Sequence, residues 1–198
     1  CLTLKRTISG RLGEAALQIH DEVINEGNTA APLMLLYHFN FGWPLVDEGT
    51  DIIWKGTHRV ASDPQLLGVK DIKKCPQPLE LHQGSGESVI YIDPEADAEH
   101  KVHCGLWNKE RDLGLRITFD KRELPCLTNW HHFAEHEYVT GIEPGTNPPI
   151  GQKAARESNT LTSLAPGEKK EITLTLTILA PNLPKSKEDI DFLHHLTP

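Results

Sequence analysis

The sequence holds no run of about 18 uninterrupted apolar residues, so no transmembrane helix is expected. Its longest apolar run, Leu33-Met34-Leu35-Leu36-Tyr37, is only strand length. The opening Cys1-Leu2-Thr3-Leu4-Lys5-Arg6 lacks the apolar core of a secretory signal. No C-x-x-C occurs. The four cysteines, Cys1, Cys75, Cys104 and Cys126, are widely spaced and read as free buried thiols of a cytoplasmic protein. An excess of positive charge is also missing: 20 Lys and Arg stand against 28 Asp and Glu, for a net charge of −8. A nucleic-acid backbone is therefore not the expected partner. Gly84-Ser85-Gly86 stands alone without the rest of a phosphate loop, and no Gly-x-Ser-x-Gly elbow marks a hydrolase. Repeats, low-complexity tracts and long helical patterns are absent as well.

What is present is a globular composition: 198 residues, 38% hydrophobic and 24% charged. A chain of this length buries about 70% of its unfolded surface without disulfide staples, and residues 1–198 read as one domain. Fifteen glycines and fourteen prolines point to many turns. Between the turns the period is two. Leu2 to Ile8, Ala16 to Asn25, Glu87 to Asp93, Gly114 to Phe119 and, most clearly, Glu171 to Leu179 alternate apolar and polar residues as half-buried strands do. Leu33 to Phe41 reads as one long strand buried on both faces, His100 to Trp107 as a further strand, and Trp130 to Ile142 as holding one more. Asp47 to Ser88 reads as long loops with short pieces of order. Lys187 to His195 is the helical candidate, capped by Ser186. The fold class is all-β, an antiparallel sandwich or barrel.

Three stretches could carry chemistry. In Leu36-Tyr37-His38-Phe39-Asn40-Phe41-Gly42-Trp43, strand geometry puts His38 and Asn40 on one face and the aromatic residues on the other. His38 is either a hydrogen-bonded core histidine or a proton-exchanging group in a cavity. In Gly141-Ile142-Glu143-Pro144-Gly145-Thr146-Asn147, Glu143 ends an apolar strand at a Pro-Gly turn. It is either a solvated strand-end carboxylate or a general base at the mouth of a sheet. Trp130-His131-His132-Phe133-Ala134-Glu135-His136 invites a metal reading. His132 and His136 would share a face only on a helix, however, and the His-Glu-x-x-His spacing is absent. Trp43 and Trp130 lie beside these stretches, where an indole face can pack against the C–H face of a sugar.

The first two of these stretches, together with Asn25-Glu26-Gly27 and Leu164-Ala165-Pro166-Gly167-Glu168 before the last long strand, resemble the aldose 1-epimerase (galactose mutarotase-like) superfamily, and above all its bacterial branch. The resemblance implies an antiparallel β-supersandwich with an open sugar cleft, a catalytic Glu and a catalytic His. It places the Glu at Glu143 and suggests His38 for the His. In that superfamily the His usually lies four residues before the Asn of the motif. Here Leu36 occupies that position and His38 lies two before Asn40, a shift of about 6.6 Å along the strand on the same face. The superfamily's N-terminal portion, which supplies an Arg and another His, has no counterpart before Leu2. The chain opens on Cys and directly on a strand, so it is expected to be the C-terminal part of a longer, here incomplete, sandwich.

The expected reaction is exchange of sugar anomers. Glu143 takes the proton of the anomeric hydroxyl and His38 protonates the ring oxygen, the two lying roughly 5–8 Å apart around one ring. Asn40, Trp130 and Asn147 are the expected substrate-binding neighbours. A small-molecule sugar is the expected partner; no metal, organic cofactor, nucleic acid or membrane is called for. The alternatives are a non-catalytic sugar-binding sandwich and a cupin-like metal enzyme. Because Leu2 to Ile8 would be an interior strand of a larger sandwich, a homodimer through its open edge is expected.

Overall fold

A computed structural model describes residues 1–61, 69–183 and 185–194. The alternating stretches form the strands expected of them. In chain order these are β1 (Leu2–Gly10), β2 (Ala16–Asn25), β3 (Ala31–Leu33), β4 (Phe39–Phe41), β5 (Asp51–Ile53), β6 (Gly56–Val60) and β7 (Ser88–Pro94). They continue with β8 (Lys101–Asn108), β9 (Leu113–Asp120), β10 (Cys126–Phe133), β11 (Tyr138–Gly145), β12 (Thr162–Leu164) and β13 (Lys169–Leu179). Two helices, α1 (Gln152–Glu157) and α2 (Lys187–His194), complete the described elements. Six strands order as β1-β2-β13-β9-β8-β5 and five as β4-β11-β10-β7-β6; β12 and β3 make a small two-stranded ladder. All described pairings are antiparallel.

The two large sheets share one apolar layer. Ile19, Ile117, Phe119, Ile172 and Leu174 of the six-stranded sheet cluster with Ile90, Ile92, Leu127, Phe133 and Ile142 of the five-stranded sheet. The architecture is thus an antiparallel β-sandwich, the fold class expected from the sequence. The period-two rule then fixes the other face of the five-stranded sheet. With Ile142 and Leu127 pointing into the core, Glu143, Thr128 and Trp130 point away from it.

Two local readings need correction, and a third is filled in. The stretch from Leu33 to Phe41 is not one strand: Leu33 ends β3 in the small ladder and Phe39 begins β4 in the five-stranded sheet. Between them Thr146 interrupts the pairing, its hydroxyl accepting from Leu35 N and its own N–H donating to Leu35 O. The side chain thus occupies a ladder position and lets the segment pass from one sheet to the other. The stretch from Trp130 to Ile142 holds a hairpin of β10 and β11, turned at the exposed Glu135, His136 and Glu137. Within the described part of Asp47 to Ser88 lie the short strands β5 and β6 and a single 3₁₀ turn, Glu80–His82. The C-terminal helix forms as expected. Ser186 Oγ accepts from Asp189 N while Asp189 Oδ2 accepts from Ser186 N and Oγ, a reciprocal cap. His195 lies outside the described residues.

The cysteines are free, but only Cys75 and Cys104 are buried; Cys126 is half-buried and Cys1 exposed. The half-buried and exposed thiols sit at a strand start and the chain start, where little packs over them. Among the described residues no helix is long and apolar enough to cross a membrane. β1 is an edge strand and carries Leu2, Leu4 and Ile8 exposed on the side that faces the core further along the sheet. This is the open edge on which the sequence reading places a second copy.

One polar cluster ties the two sheets together. Asp21 on β2 is fully buried and accepts both arms of the Arg6 guanidinium, at 2.8 and 2.7 Å, and the Tyr37 hydroxyl at 2.6 Å. Burial pushes the Asp21 carboxyl up, but the hydrogen bonds from Arg6 and Tyr37 outweigh it and hold the carboxyl below the usual range. A carboxyl depressed in the folded state adds stability above its unfolded pKa, and that stability is lost as pH falls through the folded value. Asp21→Asn is therefore expected to lower the urea midpoint at pH 7. The gap between variant and parent should close as pH drops below about 4. A gap that persists unchanged at low pH would show that packing, not charge, matters at Asp21.

Candidate active site

Strand register places the polar side chains of the outward face in rows. Antiparallel pairing sets Thr128 opposite both Glu143 and Tyr91, and Tyr91 opposite Arg59. Continuing the β4–β11 ladder one step past Phe39 and Ile142 puts His38 opposite Glu143. One row thus runs His38, Glu143, Thr128, Tyr91, Arg59 across the sheet. The adjacent row runs Asn40, Gly141, Trp130, Val89. Neighbours in a row are one inter-strand spacing apart, about 4.8 Å.

His38 is fixed by its neighbour in the chain. Tyr37 is 4% exposed, its hydroxyl bound to Asp21 and its N–H donating to Pro144 O at 2.9 Å. His38, with half its side chain exposed, is turned outward toward Glu143. His38 Nε2 lies 3.1 Å from Glu143 Oε1. The two groups are in direct contact, not 5–8 Å apart as the sequence reading has them. The cross-strand register explains the shorter distance.

Glu143 is the anomaly of this face. It is 2% exposed, and its Oε1 has no hydrogen-bond donor among the described residues. His38 Nε2 stands 3.1 Å away without the geometry of a hydrogen bond. Burial pushes the Glu143 carboxyl up to about 7; a protonated His38 works against this and the negative Glu87 adds to it. Buried acceptors without donors are rare in folded proteins and costly when charged. Here the orphan is an oxygen beside an exposed imidazole.

Gly141 makes that placement possible. A Cβ built on Gly141 would stand 2.3 Å from Glu143 Oε1 and 3.3 Å from Asn40 Oδ1. The carboxylate therefore occupies the space of the missing side chain. The sequence holds the signal, a glycine two residues before the glutamate, but it reads there only as part of a motif.

Trp130 joins the site. Its ring lies 6.2 Å from that of His38 and stacks on His132 at 5.8 Å and 6°. Its indole N–H donates to Glu87 Oε2 at 2.7 Å. Asn40 is exposed in the same row as Trp130. Asn147 is placed differently. It is 4% exposed, its Oδ1 accepts from Thr146 Oγ1 and its Nδ2 donates to Pro148 O, so its amide is engaged in its own turn. Glu87 and Gly141 are members of this face that sequence reasoning missed. Glu87 precedes its strand, and nothing local links it to Trp130.

Alternation along β10 turns the two adjacent histidines of the histidine-rich stretch to opposite faces of the sheet. His131 points to the core and is fully buried, pushed down to about 3 by burial first and by His82 second. His132 points to the other face, with Nδ1 at 2.6 Å from Gly86 O. Among the described residues no group of three or more His, Cys, Asp or Glu is arranged to hold a metal ion. A cavity of about 550 Å³ lies elsewhere, among Trp54, Lys73, Asp97, His103 and Phe192. Neither His38 nor Glu143 lines that cavity; of the pair only His38 is exposed.

The sequence profile of a family described as a domain of unknown function, DUF4432, matches residues 1–178. The chain belongs to the DUF4432 family. This DUF4432 chain is similar to a proposed aldose 1-epimerase from Klebsiella pneumoniae subsp. pneumoniae, at 30% identity and a TM-score of 0.83, over 90% of this chain and 47% of that one. It is similar in fold to a galactose mutarotase related enzyme from Lactobacillus acidophilus, at 12% identity and a TM-score of 0.60, over 93% of this chain and 64% of that one. A galactose mutarotase-like protein from Lactobacillus casei aligns at 19% identity and a TM-score of 0.55, over 89% and 63% of the two chains. The DUF4432 chain thus spans about half the length of the Klebsiella protein. No curated protein matches it. The superfamily resemblance read from the sequence agrees with these neighbours.

Proposed function

We propose that this chain carries the acid–base pair of an aldose 1-epimerase, interconverting the anomers of a sugar. The observation that supports the reading most is the buried, donor-less Oε1 of Glu143 set 3.1 Å from Nε2 of the exposed His38. In a pyranose the anomeric hydroxyl and the ring oxygen hang on the same carbon. Two groups in contact can therefore address both from one side. Glu143 as carboxylate takes the proton of the anomeric hydroxyl, and His38 gives one to the ring oxygen, so that the ring C–O bond breaks and the aldehyde forms. Rotation and reclosure, with the protons returned, give the other anomer. A carboxyl raised to about 7 suits this near neutral pH, because its proton affinity is closer to that of the group it serves. The aromatic wall is Trp130, and Asn40 supplies a neighbouring amide.

The test is anomer exchange, followed by two-dimensional exchange NMR across a panel of free and substituted aldoses. Exchange above the buffer rate supports the reading. Sugar binding without exchange would replace it with a non-catalytic sugar-binding sandwich. Trp130→Ala is expected to weaken sugar binding by roughly tenfold, the loss of one aromatic contact, with little change in unfolding midpoint. A large fall in midpoint would make Trp130 a structural residue instead.

A further inference from the structure

The row that begins with His38 and Glu143 ends in a cation. Arg59 lies on the edge strand β6, opposite Tyr91, with its guanidinium carbon 4.2 Å from the Tyr91 ring centroid. Stacking on an aromatic face holds a guanidinium while leaving its edge of N–H donors turned outward. Arg6, Arg11, Arg111, Arg116 and Arg122 each pair with a carboxylate. Arg59, like Arg156, pairs with none among the described residues, and Arg59 alone of the two is seated on an aromatic ring. It also lines a cavity of about 330 Å³ with Thr57, Tyr91, Asp93, Cys126 and Pro148. The one carboxylate there, Asp93, is already matched by Lys121 at 2.8 Å.

We infer that Arg59, seated on Tyr91, is an anion subsite of the same active face, and that the substrate is an aldose bearing a phosphate or carboxylate on the carbon remote from its anomeric centre. This rests on the reading of Glu143 and His38 as the anomeric end. Distance supports it. Tyr91 stands two inter-strand spacings from Glu143, about 10 Å. That gap suits a hexopyranose whose anomeric hydroxyl meets Glu143 and whose exocyclic group reaches the guanidinium. Thr128, the smallest side chain of the row, lies between them. Trp130 stands beside it as a wall. A guanidinium forks onto two oxygens of one anion, which gives orientation as well as affinity. Orientation matters because only one ring carbon is reactive.

The experiment compares glucose, glucose 6-phosphate and glucuronate with the full chain, measuring binding by calorimetry and exchange by NMR. Expected is a kcat/KM for at least one anionic sugar about tenfold or more above that for glucose, the size of one charge-assisted pair. Arg59→Ala should raise KM for that sugar by about tenfold with kcat nearly kept, and Arg59→Lys should recover part of the loss. The two anionic sugars separate a phosphate from a carboxylate preference. Glucose exchanged as well as both anionic sugars, or KM unmoved in Arg59→Ala, would overturn the inference while leaving Glu143 and His38 in place. Binding of an anionic sugar that depends on Arg59, without any exchange, would uphold the subsite and overturn the catalytic reading.

Discussion

Glu143→Gln is expected to lower anomer exchange by at least the ~10²-fold typical of lost general-base catalysis and, above pH 7, to raise the stability of the fold. The two effects have one cause. Burial raises the Glu143 carboxyl from 4.5 to about 7, so at higher pH the folded chain holds a charge it solvates poorly. A carboxyl raised in the folded state adds nothing below its unfolded pKa and costs stability as pH rises through the folded value. The shift, which already includes the opposing effect of His38, bounds the cost at about 3 kcal/mol. Glutamine keeps the shape and carries no charge. Its unfolding midpoint should therefore exceed that of the parent by several degrees at pH 8, with the difference fading below about pH 5. Thermal unfolding at the two pH values, beside exchange rates, checks both halves. Lost activity with lowered stability at pH 8 would mean that Glu143 is a structural partner of His38. Unchanged exchange would remove it from the mechanism.

Gly141→Ala is expected to leave the fold intact and to reduce exchange as severely as removal of the carboxylate. The added methyl group would stand 2.3 Å from Glu143 Oε1, and the next nearest atoms are the Glu143 Cδ and Asn40 Oδ1. These belong to the ends of side chains that can swing aside, so the backbone need not move. Gly141 has no left-handed φ to defend, and alanine in a strand loses less entropy on folding than glycine. The damage falls on position. A displacement of about 1 Å at a catalytic group can cost ~10²-fold in rate. The check is a pair of measurements: an unfolding midpoint within a degree or two of the parent, and exchange reduced to the level of Glu143→Gln. A variant that exchanges normally would show that Glu143 works from a rotamer other than the one it holds against Gly141.

The sequence by itself determined the strands and which side of each is apolar. In Glu171 to Leu179 and Ala16 to Asn25, period-two alternation is a local consequence of burying one face, and both stretches became strands within two residues of the expected bounds. His38, Asn40 and Glu143 were legible for the same reason, as polar groups set at fixed phase in apolar strands. Tertiary structure decided what no local pattern encodes. Thr146, more than a hundred residues away, splits Leu33 to Phe41 by occupying a ladder position. Register between β4 and β11 brings His38 into contact with Glu143, and register across β10, β7 and β6 carries their row to Arg59. Alternation along a strand is periodic and survives any shift by two residues. Register between strands does not, because it is set by the turns and by the one alignment that buries both apolar faces together. The sequence could therefore name His38 and Glu143 as candidates, while their distance, the glycine that seats the carboxylate and the cation at the end of the row came only from the paired sheet.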